Sequence, residues 1–183
     1  MLYSTTVSNR NELVQILELN HQNLKQNLSD AEQQDEGFIT WLYSLELLEK
    51  MHDVAPSVIV KDGDKIVGYA LTTPIEARSF HPDLDIMFQN LEPVQYKNAP
   101  LFSFRFYCMG QICVDKNYRG KGVVNLLYQK HKELFAGQYE FILTEISTRN
   151  KRSIKAHEKV GFTSIYQYSD ATDDWSVVIW DWK

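Results

Sequence analysis

Apolar residues near the start of the chain recur at helical spacing. Leu13, Ile16, Leu17, Leu24 and Leu28 follow Asn9 and Glu12, which stand at the separation of a capping box, so a helix is expected to run to about Leu28 behind a short strand over residues 2–7. A second helical pattern runs from Phe38 to about Met51 through Ile39, Leu42, Leu45 and Leu48. Between them S-D-A-E-Q-Q-D-E-G, at 29–37, is polar and acidic and reads as a loop. The period then changes: S-V-I-V-K-D-G-D-K-I-V-G-Y-A-L-T-T holds two β-rich runs about the turn signal Asp62-Gly63, an antiparallel hairpin. Pro74, Pro82, Pro93 and Pro100 break up residues 75–100, where a short helix fits around Leu84–Leu91, and the segment reads as an insertion over the fold.

From Leu101 to Val114 the chain stays aromatic and apolar for longer than a usual strand, which predicts a bulge or break near Gly110. Val123, Leu126, Leu127, Leu134 and Phe135 mark a helix stopped by Gly137. Y-E-F-I-L-T-E-I-S-T is a strand, R-N-K-R-S-I-K-A-H-E-K-V-G a helix from near Asn150 to Gly161, and F-T-S-I-Y-Q-Y and D-W-S-V-V-I-W-D-W are two closing strands. Strand, helix and strand across 107–148 imply a parallel pair with a right-handed crossover, while the hairpins imply antiparallel neighbours. The fold class is therefore α/β (α+β), with a mixed sheet.

Composition narrows the reading. The 183 residues, 44% hydrophobic and 23% charged, fit one domain over 1–183 with a real core. A net charge of -5 repels nucleic acid, so any polyanion must meet a local basic site. The start M-L-Y-S-T-T-V-S lacks the blocks of a signal peptide and no apolar run approaches the ~18 residues of a membrane span, so a cytoplasmic protein without a membrane partner is expected. Cys108 and Cys113, on one strand at an odd separation, are expected on opposite faces as buried free thiols.

N-Y-R-G-K-G-V-V, at 117–124, joins a strand to a helix. Such a turn leaves the first helical N–H groups unpartnered at the positive end of the helix dipole. Gly120 and Gly122 allow close backbone approach, and Arg119 and Lys121 add positive charge, so the turn suits a diphosphate; read by itself it equally fits a tight connection whose cations face water. A nucleotide-hydrolase phosphate loop is excluded, because neither Lys-Ser nor Lys-Thr follows Gly122. A dinucleotide fold fits poorly, since its glycine turn follows an early strand.

V-D-K-N-Y-R-G-K-G-V-V-N-L-L resembles the acyl-CoA pyrophosphate loop of the GNAT superfamily of acyl-CoA-dependent N-acyltransferases, in which Gln or Arg, two residues, Gly, one residue and Gly or Ala follow one another. Arg119 and Gly122 fit that pattern, and Val124 stands where the family usually has a small residue. T-E-I-S-T-R-N-K-R-S-I-K-A-H-E-K-V-G-F resembles the later strand and helix of the same family, with Asn150 and the Glu-Lys-Val-Gly-Phe tail matching. Together the two blocks cover roughly residues 107–162. The resemblance implies a twisted, mostly antiparallel sheet with a central splayed parallel pair and helices on both faces. It also implies acetyl-CoA as co-substrate without a metal, and acetyl transfer to an amine by direct attack in a ternary complex. Ile112, Cys113 and Val114 would lie along the pantetheine arm, Arg119, Gly120, Lys121, Gly122, Val123 and Val124 would cradle the diphosphate, and Asn150 would both cap its helix and bond CoA.

Acyl transfer to nitrogen needs a base for the amine and stabilisation of the thiolate. Glu145 shares a strand face with Phe141, Leu143 and Ser147, and some relatives have an amine-activating Glu at the matching place; locally satisfied carboxylate is the alternative. His157 stands where the family more often has the Tyr that protonates the sulfur. Its alignment with Ile154 and Val160 equally fits a core histidine. Gln111 either orients the acceptor or is an edge residue, and Lys151 and Arg152 either meet phosphates or face water. Asp30, Glu32, Asp35 and Glu36 either draw in a cationic amine or form a solvated loop. The expected partner is an amine-bearing small molecule or peptide, with the protein a monomer or homodimer. A non-catalytic acyl-CoA binder or sensor, and an interaction module whose basic turn holds another anion, are the rival functions.

Overall fold

A computed structural model describes residues 1–29 and 38–183; the acidic residues Asp30, Glu32, Asp35 and Glu36 lie outside the described residues. Nine strands are present among the described residues: β1 Leu2–Thr6, β2 Val58–Asp62, β3 Lys65–Thr73, β4 Gln95–Tyr96, β5 Ala99–Pro100, β6 Phe106–Val114, β7 Phe141–Ser147, β8 Thr163–Ser169 and β9 Asp174–Asp181. Seven of them form one sheet in the order β1-β2-β3-β6-β7-β9-β8, and β4 and β5 make a small hairpin of their own. Only β6 and β7 run parallel within the large sheet; its other neighbours are antiparallel.

The α-helices of the described residues are α1 Arg10–Gln22, α2 Leu45–Val54, α3 Pro82–Leu91, α4 Val123–Phe135 and α5 Lys151–Val160. On one face of the sheet Leu13 and Ile16 of α1 and Leu48 and Met51 of α2 bury against Tyr69 and Leu71 of β3. Phe88 and Leu91 of α3 pack beside them on Phe106, Cys108, Leu143 and Val177. On the other face Val123, Leu127 and Tyr128 of α4, with Ile154 of α5 at the margin, cover Val67, Ala70, Tyr107 and Ile146. The 75–100 segment is more regular than its prolines predict, because Pro82 takes the first position of α3, where a missing N–H costs nothing.

Two helix boundaries differ from the sequence pattern, each for a non-local reason. Helix α1 stops at Gln22 rather than near Leu28, and the second helix begins at Leu45 rather than at Phe38. The backbone of Ile39 is spent on a bridge to the end of α1, donating to Asn23 O at 3.0 Å and accepting from Lys25 N at 2.9 Å. Ser44 then caps α2 through Leu47 N–H. Asn9 caps α1 as its spacing predicts, but Glu12 reaches back to Ser8 N–H at 2.7 Å and is tied to Lys61 at 2.8 Å.

The sheet opens at its centre. Strands β6 and β7 pair only at Phe106 with Phe141, Tyr107 with Ile142 and Cys108 with Leu143. Beyond that the Thr144 hydroxyl donates to Met109 O, at 2.9 Å, where a ladder bond would otherwise form. On its other edge β6 carries one extra residue against β3, since Ala70 faces Ile112 while Thr72 faces Met109. This is the bulge expected near Gly110. It also resets the alternation, so Cys108, opposite Thr73, and Cys113, opposite Tyr69, lie on the same face rather than on opposite ones. Both remain buried free thiols.

Candidate active site

The loop after β6 turns through the short helix Lys116–Tyr118 and enters α4 at Gly122. Gly120 at φ +74° and Gly122 at φ +80° are left-handed, a conformation costly for any residue with a Cβ. Gly122 is the N-cap of α4 and offers no side-chain cap, so the first N–H groups of the helix face outward. A Cβ at either glycine would meet nothing within 4 Å, so the space above the turn is open.

That space belongs to a cleft of about 730 Å³ between the outer half of β6, the start of α4 and one side of α5. Ile112, Cys113 and Val114 line it from β6, and Arg119, Gly120, Gly122, Val123 and Val124 from the turn. Asn150 and His157 line it from the α5 side, together with Lys151, Arg152, Lys155 and Lys159. Five cations and no carboxylate stand among the described lining residues of a protein whose net charge is -5. An open cradle, uncapped helical N–H groups and clustered cations fit a polyphosphate group.

The structure does not bring Lys121 to this cleft. Its ammonium lies 4.9 Å from the centre of the Tyr118 ring, and Tyr118 in turn donates to Asp62. Arg119 stays at the cleft but is anchored, its Nη2 on Asn23 Oδ1 at 2.6 Å and its Nε on Val114 O at 3.3 Å. Asn150 caps α5, accepting from Ser153 N–H at 3.1 Å, while its amide donates to Phe38 O at 3.2 Å.

His157 is 2% exposed and both ring nitrogens are engaged. Only a protonated Nδ1 can bond Ser153 O, at 2.7 Å, which leaves Nε2 to accept from the Tyr128 hydroxyl at 2.6 Å. Burial pushes the imidazole down to about 4, against the partial support of the Ser153 carbonyl. The ring is therefore neutral near pH 7 with its one N–H spent inside the protein. An acid to the sulfur needs an imidazolium or an N–H directed at the cleft, so this geometry favours the core-histidine reading.

Glu145 lies on the opposite face of the sheet, on the β7 arm of the fork, and is not part of the cleft lining. Tyr168 of β8 donates to its Oε1 at 3.0 Å. Burial pushes the carboxyl up to about 7, the Tyr168 bond pulls it down, and the charge of Asp170 raises it again. Such a group exchanges a proton readily near neutrality. Among the described residues Thr73 Oγ1 is buried without a partner, and both it and the Tyr43 hydroxyl approach the bare Cα of Gly110. Gln111 is tied inward, accepting from Tyr69 at 2.6 Å and from Asn20 and donating to Trp41 O at 2.8 Å, so its side chain braces α1 and β3 against the fork.

Lys155 and Lys159 were not among the expected site residues, although their four-residue spacing from Lys151 signals one helix face. Asn23, Phe38, Tyr168 and Tyr43 carry no local signal, since each reaches the site from a distant part of the chain. Among the described residues no group of three or more His, Cys, Asp or Glu is placed to hold a metal ion, and no helix is long and apolar enough to cross a membrane.

A family model described as "Acetyltransferase (GNAT) family" matches residues 13–162. No curated protein matches the sequence. Solved structures do match in fold. Ard1 from Thermoplasma volcanium superposes with a TM-score of 0.66 at 13% identity, over 98% of this chain and 97% of that one. The structure of yncA from Salmonella typhimurium with its cofactor acetyl-CoA gives 0.63 at 14% identity, over 100% and 94%. The ribosomal-protein-S18-alanine N-acetyltransferase from Escherichia coli gives 0.61 at 12% identity, over 98% and 92%.

Proposed function

Because the chain belongs to the acetyltransferase (GNAT) family, we propose that it moves the acetyl group of acetyl-CoA to an amine by direct attack in a ternary complex. The observation that carries this reading is the basic cleft, with no carboxylate among its described lining residues, which opens onto the β6–β7 fork with Glu145 across it. Acetyl-CoA would supply an activated acetyl group as a thioester. The uncapped N–H groups of α4 and the cations Lys151, Arg152, Lys155 and Lys159 receive its phosphates. Ile112 to Val114 offer backbone groups on an edge of β6 that β7 leaves unpaired, and these align the pantetheine arm and polarise the thioester carbonyl. Glu145, whose carboxyl burial pushes up to about 7, takes the amine proton directly or through water.

Transfer through a covalent acyl-enzyme has no support at the fork. Cys108 and Cys113 are buried, and burial pushes both thiols far up, so neither supplies a thiolate. His157 keeps the site's rear wall packed as a neutral ring on Tyr128, and the thiolate leaves without imidazolium help. We assign the acceptor to amine-bearing small molecules or peptides, the domain to the whole of 1–183, and the setting to the cytoplasm, which suits two free thiols.

Calorimetric titration with acetyl-CoA and with CoA, followed by free-thiol release across a panel of primary amines, tests the proposal. Binding of both with amine-dependent thiol release is expected. Binding with no release from any amine would favour the non-catalytic binder, and no binding of either nucleotide would falsify the reading altogether.

A further inference from the structure

Glu145 is not held by its own strand. Its Oε1 accepts from the Tyr168 hydroxyl of β8 at 3.0 Å, and that hydroxyl oxygen accepts from the Asn90 amide at 3.4 Å. Asn90 belongs to α3, within the 75–100 segment that the sequence marks as added over the fold. Glu145 Oε2 makes no hydrogen bond to a described residue, so one carboxylate oxygen is fixed and the other is left for chemistry. Val177 of β9 pairs with Glu145 across the ladder and contributes no polar group.

We propose that Tyr168 and Asn90 are positioning residues for Glu145, a hydrogen-bonded chain through which the 75–100 segment orients the base and favours its charged form. The inference rests on the reading of Glu145 as the base given above. A phenol that donates to a carboxylate stabilises the charged form, and an amide that donates to the phenol oxygen strengthens that donation. Tyr168 stays a neutral donor throughout, since burial and the Glu145 charge both push its own hydroxyl up.

Among the described residues, Cys108, Tyr43 and Asp170 are ionisable groups that face the same region. Cys108 on β6 is buried and neutral and does not compete. Tyr43, beside Cys108, is likewise held neutral by burial. Asp170, past the end of β8, carries a charge that opposes ionisation of Glu145; its Oδ1 is engaged by Thr172 N–H, Thr172 Oγ and Asp173 N–H. The Tyr168 hydroxyl is thus the one group among these that favours the carboxylate. The chain also gives α3 a task beyond packing: Phe88 and Leu91 seat the helix on the sheet, and that seating sets where the Asn90 amide stands.

The test is a pH titration of the full chain labelled with ¹³C at glutamate Cδ, in which the Glu145 signal is assigned by its loss in Glu145→Gln. The wild-type midpoint is expected near 7. Tyr168→Phe should raise it by about one pH unit, the size of a hydrogen bond to a charged group, and Asn90→Ala should raise it by a smaller amount in the same direction. An unmoved or lowered midpoint in a folded Tyr168→Phe protein overturns the proposal. Should that variant fail to fold, Asn90→Ala decides alone, and an unmoved midpoint there is equally fatal. Thiol release with the amine panel separates the two readings. If the carboxyl shifts and the acid limb of the rate profile does not follow it, the chain stands and the base assignment falls.

Discussion

A Cβ built on Gly110 would lie 2.4 Å from Thr73 Oγ1 and 2.8 Å from the Tyr43 hydroxyl, closer than real contacts allow. The bulge therefore needs glycine for want of room. Gly110→Ala should cost about 1–3 kcal/mol in urea-unfolding free energy, the usual penalty of overpacking. Thr73 Oγ1 has no partner among the described residues to lose, so Thr73→Ala in the Gly110→Ala background should recover part of that loss. Strict additivity of the two substitutions would show that the clash is relieved elsewhere. Gly120 and Gly122 are required for a different reason, since nothing crowds them and only their positive φ and the open cradle above them do the selecting.

Helix α5 shows how one element serves two surfaces. Ile154, His157 and Val160 face the core while Lys151, Lys155 and Lys159, each one turn apart, stand along the cleft. Gly161, at φ +116°, ends the helix with its N–H on His157 O and Glu158 O, and the chain passes directly into β8. If the lysine row meets CoA phosphates, Lys155→Glu should weaken CoA about tenfold at ~0.1 M salt and by much less near ~1 M, where the screening length falls to about 3 Å. Lys50→Glu on α2, away from the cleft, should leave affinity unchanged. Calorimetric dissociation constants at the two salt concentrations check this, and equal effects of both substitutions would argue against the assigned role.

For the whole molecule, buried histidines set an acid limit. His131, bonded to Tyr107 at 2.9 Å, is pushed by burial to about 3, and His157 to about 4. A base whose folded value is depressed contributes stability that is fully present above its unfolded value near 6.5 and is lost as pH falls through the folded value. Each ring should therefore cost a few kcal/mol between about pH 6.5 and 4. Glu145 acts in the opposite sense: its raised carboxyl adds stability below about 4.5 that disappears as pH rises through about 7. Urea unfolding across this range should show a steep fall below pH 6.5 in the wild type and a shallower one in His131→Phe and His157→Phe, despite their lower stability at pH 7. Wild-type slopes in both variants would mean that other groups take up the protons.

What the sequence determined by itself is whatever short-range chemistry dictates. Asp62-Gly63 sets the β2–β3 hairpin, Asn9 and Asn150 cap their helices, and Gly161 stops α5, because each demand is met by backbone within a few residues. The cleft was legible for the same reason: residues 112–124 form one strand, turn and helix entry, and nine of the ten residues proposed to hold CoA line it. Tertiary structure alone decided the rest. The late start of α2 depends on the bridge from Ile39 to Asn23 and Lys25, and the shared face of Cys108 and Cys113 on a bulge whose register only β3 reveals. Lys121 left the cleft for a ring three residues away, and the states of His157 and Glu145 were set first by burial, with the hydroxyls of Tyr128 and Tyr168, tens of residues distant, as their hydrogen-bond partners. A protonation state is the balance of desolvation against hydrogen bonds, and both arise only once distant segments have packed together.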